Sequence, residues 1–104
     1  MDQNIKNIAS ELKKEISSKY TIEDFKVFGS TARGSQHEGS DIDIFILLPH
    51  LDRRIEEDLF DIAYDIELKF DCLIDLIAFS SDSIKKGGPL PPLYSRVLQE
   101  GVAV

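Results

Sequence analysis

Asp41 and Asp43, one residue apart, open the apolar run DIDIFILL (41 to 48), and ten residues separate them from a preceding Gly29-Ser30 step. Side chains at i and i+2 of a strand point the same way, so the two carboxylates aim at one region with their Cα atoms roughly 6.6 Å apart. At a separation of roughly 6 Å and an effective dielectric of about 20, they repel by about 3 kcal/mol. A bound divalent cation removes that repulsion. An Asp-x-Asp pair also has the reach to hold the two ions that stabilise the attacking and leaving oxygens in an in-line transfer at phosphorus. Magnesium suits such a pair, because it keeps several waters and adds substrate phosphate oxygens to one or two carboxylates.

A third acid stands in the next strand-like segment, CLIDLIAF (72 to 79), where Asp75 interrupts the face formed by Leu73, Ile77 and Phe79. If this strand lies beside DIDIFILL, Asp75 joins Asp41 and Asp43, free to bind metal and accept a proton from an attacking hydroxyl. Asp71 is a rival for that place, but it falls at a helix-to-strand junction, outside the apolar alternation. At the other end of a substrate, Gly29 lets the backbone approach a phosphate and Ser30 Oγ adds a hydrogen bond. Arg33 could neutralise a leaving pyrophosphate. Taken singly, each feature has a simpler reading: a solvated strand start for the Asp pair, a turn for Gly-Ser, a surface residue for Arg33. Their conjunction in one order is what points to chemistry. His37, Lys85 and Lys86 read as solvated residues and Cys72 as a core thiol.

The elements that must position these residues follow from periodicity. Ile5, Ile8, Leu12 and Ile16 predict an amphipathic helix over 3 to 19, and DFKVF (24 to 28) a short strand. Ile42, Ile44, Ile46 and Leu48 take the face of the second strand away from its aspartates. Asp52 is placed to cap a helix over 52 to 69, whose apolar positions are Ile55, Leu59, Ile62, Ala63, Ile66 and Phe70. A further helical turn within 80 to 86, an irregular GGPLPP, a short helix LYSRVLQEG closed by Gly101, and a terminal strand VAV complete the pattern. Strands alternating with helices imply an α/β domain with one sheet covered by helices.

The 104 residues suffice for one domain, and 42% hydrophobic with 30% charged residues is an ordinary globular composition. With 12 basic against 19 acidic side chains, the net charge of −7 argues against a direct grip on nucleic acid, and any polyphosphate must arrive with cations. No apolar stretch reaches membrane-span or signal-peptide length, and a single cysteine fits a reducing, cytoplasmic setting.

Gly29-Ser30, ten residues and Asp41-x-Asp43 resemble the signature of the DNA polymerase β-like nucleotidyltransferase superfamily. The segments GSTARG, SDIDI, LIDLIAF and PLYSRVLQEGVAV make the chain similar to its smallest branch, the minimal nucleotidyltransferases (MNT), which serve as antitoxins beside HEPN-domain toxins. The resemblance implies a single domain over residues 1–104 with a palm-like fold, a small mixed sheet covered by helices. It implies that Gly29 and Ser30 bind a nucleoside triphosphate, that Asp41 and Asp43 hold two Mg2+ ions, and that Asp75 is the third acid. The implied reaction carries AMP from ATP, or another nucleotide from its triphosphate, to a hydroxyl. The implied acceptor is a tyrosine of a HEPN toxin bound in a hetero-oligomer, which thereby loses its RNase activity. Two alternatives remain open on the residues themselves: a non-catalytic module that neutralises a partner by covering it, and a small-molecule nucleotidyltransferase subunit.

Overall fold

The computed structural model describes residues 3–29, 41–84 and 90–104. Helix α1 (Gln3–Ser17) leads to strands β1 (Asp24–Val27) and β2 (Ile42–Leu48), then to helix α2 (Arg53–Phe70), strand β3 (Ile74–Ser80) and a 3-10 turn (Ser81–Ser83). Helix α3 (Pro92–Glu100) and strand β4 (Val102–Ala103) follow. The sheet order is β3-β2-β1-β4, with β2 and β3 parallel and the other two pairings antiparallel. This is the single helix-covered sheet that the alternation of strand and helix predicts, small and mixed as the resemblance implies.

The parallel pair depends on α2, because parallel neighbours need a crossover of a dozen or more residues. Asp52 caps the helix as expected, its side chain accepting the Ile55 N–H at 2.8 Å. At the other end Asp71 adopts the left-handed conformation (φ 52°) and its N–H donates to the Glu67 carbonyl. Leu59, Ala63 and Ile66 of α2 and Ile8, Leu12 and Ile16 of α1 bury against Ile42, Ile44, Ile46 and Leu48 of β2. Cys72 packs at the border of this cluster, and burial pushes its thiol pKa up, as a core thiol requires.

The opposite face of the sheet has its own smaller core of Phe28, Phe45, Leu47 and Val97, joined by Ile77, Phe79, Leu93 and Tyr94. Here α3 docks through Tyr94, whose ring stacks on Phe45 at 5.0 Å, while Phe79 meets Phe45 edge-on at 5.6 Å. Gly101 closes α3 with an extended backbone (φ −72°) rather than the left-handed turn common after helices. Its need for glycine is spatial: a Cβ there would stand 2.5 Å from the Val97 carbonyl oxygen and 2.8 Å from Lys26 Cδ, where β4 turns back onto β1. Among the described residues, no helix is long and apolar enough to cross a membrane.

At the C-terminal ends of β2 and β3, His50 Nδ1 lies 2.8 Å from Asp82 Oδ2 and its Nε2 3.5 Å from Asp52 Oδ2. The contact ties the loop after β2 to the turn after β3. The hydrogen bond with Asp82 raises the His50 pKa and lowers that of Asp82. A raised imidazole pKa gives stability that is full below the unfolded value near 6.5 and fades as pH climbs through the folded value; a lowered carboxyl pKa gives stability that fades in acid, below the unfolded value near 3.9. The latch therefore acts between about pH 4 and 6.5. Both side chains are more than half exposed, so solvent screens the pair, and His50→Ala is expected to lower Tm slightly at pH 5.5 and less at pH 9; a deficit that grows with pH would contradict this. Phe45 is fully buried between two rings, so Phe45→Ala should cost about 3–5 kcal/mol in urea unfolding.

Candidate functional site

Pairing of β2 with β3 sets Asp43 directly opposite Asp75. Residues in register on parallel strands point to the same side of the sheet, here the side that further along carries Phe45 and Leu47 opposite Ile77 and Phe79. Asp41, one residue before β2, shares that side by alternation. Adjacent strands run about 4.8 Å apart, so the carboxylates of Asp43 and Asp75 project side by side from neighbouring strands. Asp41 and Asp75 are exposed and Asp43 is half-buried. Water therefore solvates the Asp75 charge, although β3 is apolar on both faces further along. Asp71, the rival, is the left-handed cap of α2 and lies outside the β3 register.

The end of β1 closes the other side of Asp43. The Phe28 N–H donates to the Asp43 carbonyl at 3.1 Å, extending the β1–β2 ladder by one residue. The chain then turns at Gly29 with φ 65°, and a Cβ at that position would lie 2.6 Å from Asp43 Oδ2 and 3.3 Å from Cγ. Glycine is thus required twice, for the backbone angle and for the approach to the carboxylate. The sequence pointed to a glycine beside a phosphate; its contact with Asp43 is an addition of the fold, which a Gly following a strand hints at only by type. Ser30 and Arg33, like His37, Lys85 and Lys86, lie outside the described residues.

The donor set is made of hard carboxylate oxygens on one open face. Among the described residues, no three His, Cys, Asp or Glu side chains come close enough together to hold a metal ion.

A parallel βαβ unit with paired acids at its strand starts and a glycine turn beside them defines a class of domain, and comparison with known proteins gives the same class. Residues 9–104 match the family model described as a nucleotidyltransferase domain, and the chain belongs to that family. A candidate protein adenylyltransferase of Methanocaldococcus jannaschii is 32% identical over 96 residues, which is 92% of this chain and 89% of that protein. Two further candidate adenylyltransferases of the same organism match over 42 residues each at 48% and 50% identity, and the matched segment spans less than half the length of either. A solved toxin–antitoxin structure with AMP-PNP superposes with a TM-score of 0.64 at 26% identity, covering 93% of this chain and 69% of that one. A complex of a tri-AMPylated Shewanella oneidensis HEPN toxin with an MNT antitoxin shares the fold, with a TM-score of 0.59 at 22% identity over 99% of this chain and 71% of that one.

Gly29→Ala should be destabilising by about 1 kcal/mol or more, because the new methyl meets both the left-handed angle and the Asp43 carboxylate. In an Asp43→Ala background the nearest remaining contact is the residue-43 Cβ at 3.6 Å, so the same change should cost less there. Equal costs in both backgrounds, measured by denaturant unfolding as a double-mutant cycle, would refute the contact.

Proposed function

We propose that this nucleotidyltransferase domain is a magnesium-dependent adenylyltransferase that moves AMP from ATP to a hydroxyl, that of a tyrosine, on a HEPN-type toxin and so acts as its antitoxin. The observation that carries the reading is the register of Asp43 against Asp75, with Asp41 on the same side and Gly29 turned against Asp43. The similarity to a toxin–antitoxin structure with AMP-PNP and to candidate protein adenylyltransferases supports the nucleotide and the protein acceptor.

In this reading Asp41 and Asp43 hold two Mg2+ ions, and Asp75 contributes to one of them. When bound, the ions neutralise charge on the triphosphate and on the oxygens entering and leaving at phosphorus. Asp75, exposed on the edge strand, accepts the acceptor's hydroxyl proton as that oxygen bonds to the α-phosphorus and the bond to the β-phosphate oxygen breaks, releasing pyrophosphate. Gly29, Ser30 and Arg33 are assigned to the triphosphate. The half-buried Asp43 is oriented by its backbone pairing with Phe28 and by the Gly29 contact, which fixes where the carboxylate points before substrate arrives.

Incubating the HEPN-type partner with the chain, ATP and Mg2+ should yield adducts of adenylyl mass in an intact-mass spectrum. The Asp41→Asn/Asp43→Asn double variant should give none, and Asp75→Asn should slow their appearance by roughly 100-fold or more, with Tm unchanged in both. Neutralisation that survives in the double variant without any adduct would instead establish an antitoxin that works by binding alone.

A further inference from the structure

Helix α2 buries Leu59, Ala63 and Ile66, yet on its opposite side Phe60, Tyr64 and Leu68 are 47%, 59% and 65% exposed. Residues four apart stack on one helical face, so these three form a single apolar stripe roughly 12 Å long. Single exposed apolar residues are ordinary, but three in line form a patch, and its two aromatics are of the type enriched at interface centres. Past Leu68 the chain turns through the Asp71 cap to Leu73, 56% exposed, which by alternation lies on the same side of β3 as Asp75. Because β3 is the edge strand, Leu73 places a second exposed apolar side chain at the sheet edge, on the side of the acids.

The charges beside the stripe select its occupant. Glu56, Glu57, Asp61 and Asp65 are all exposed along it. Of the cations on this helix, Arg53 pairs with Glu57 at 3.2 Å and Lys69 with Glu11 at 3.2 Å, while Arg54 is exposed at the N-terminal end, its charge acting on Asp58, so acids outnumber unengaged cations along the stripe. Among the described residues no ion pair engages Glu56, Asp61 or Asp65. A second copy laid antiparallel on this face would set acid rim against acid rim in a chain of net charge −7. A partner with an apolar surface bordered by Lys and Arg fits instead.

We propose that the α2 stripe, continued by Leu73, is the docking surface for such a basic protein, and that this protein is the HEPN-type acceptor; the inference rests on the proposed function for the partner's identity. Docking along α2 holds the acceptor at the β3 edge, from which its hydroxyl reaches Asp75. Recognition and transfer then use different residues, and each can be removed without the other.

The test compares wild type, Tyr64→Glu/Leu68→Glu and Asp43→Asn for affinity toward the HEPN-type partner by titration calorimetry, and for adduct formation by intact mass. The expected result is an affinity loss of about tenfold or more in the α2 variant with Tm unchanged, wild-type binding weakened by salt, and a near-normal rate of adduct formation at saturating partner. Asp43→Asn should bind normally and form no adduct. Unchanged affinity in the α2 variant, with adducts still forming, overturns the docking surface and leaves the proposed function intact. Absence of both complex and adduct with wild type overturns the two together. A chain that sediments alone as a dimer, and becomes monomeric on Tyr64→Glu, assigns the stripe to a second copy and overturns the proposal.

Discussion

The parallel pairing of β2 with β3, in the register that sets Asp43 against Asp75, is the constraint on which the rest of the structure depends. A parallel pair cannot be closed by a tight turn, so the eighteen residues of α2 must cross from the end of one strand to the start of the next. That crossover buries Leu59, Ala63 and Ile66 on one face of the sheet, which in turn demands Ile42, Ile44, Ile46 and Leu48 beneath them. With the even positions of β2 committed to the helices, Asp41 and Asp43 are forced to the other face. A slip of one residue would turn Asp43 into the core, where an ionised carboxylate cannot remain without a partner charge.

The second face is graded along its length. Proceeding from Asp41 to Leu47, alternate residues pass from exposed through half-buried to buried, and α3 seals the far half through Val97 and Tyr94. The acids occupy the half that stays open, so their charges are solvated where a ligand can enter, while the aromatic cluster of Phe45, Phe79 and Tyr94 holds the strands beneath them rigid. Gly29 belongs to the same arrangement. Its left-handed turn sends the chain away from β1 at the level of Asp43, and any side chain there would displace the carboxylate.

Much of this was legible in the sequence because it rests on local periodicity. Helical spacing located α1 and α2, Asp52 marked the start of α2, and the Asp-x-Asp alternation assigned Asp41 and Asp43 to one side. What local pattern cannot carry is pairing. The run IFILL is apolar on both faces, so it does not say which neighbour lies on which edge, and the adjacency of Asp75 to Asp43 had to remain conditional on strand order. Asp71 shows a second limit: its place at a helix-to-strand junction set it apart from Asp75, but nothing in the sequence marks the left-handed cap conformation, where glycine is commoner. Gly101 shows a third, since its lack of a side chain serves a tertiary approach of β4 to β1 rather than a local turn. The outward stripe Phe60, Tyr64 and Leu68 has helical spacing too, but out of phase with the buried positions, so burial was needed to separate the two.

The electrostatics of the open face bear on how a triphosphate could be held at all. The face presents Asp41, Asp43 and Asp75, and the nearest strand cation on that side, Lys26, is engaged by Asp24 at 3.3 Å. A nucleotide alone would meet like charge there. In the proposed reaction its phosphates and the carboxylates must therefore share cations, each completing the coordination shell that the other leaves unfinished. In that reaction metal and nucleotide binding form one linked event, because the carboxylates gain further oxygen ligands for the ion from the substrate and the substrate gains positive charge through the metal.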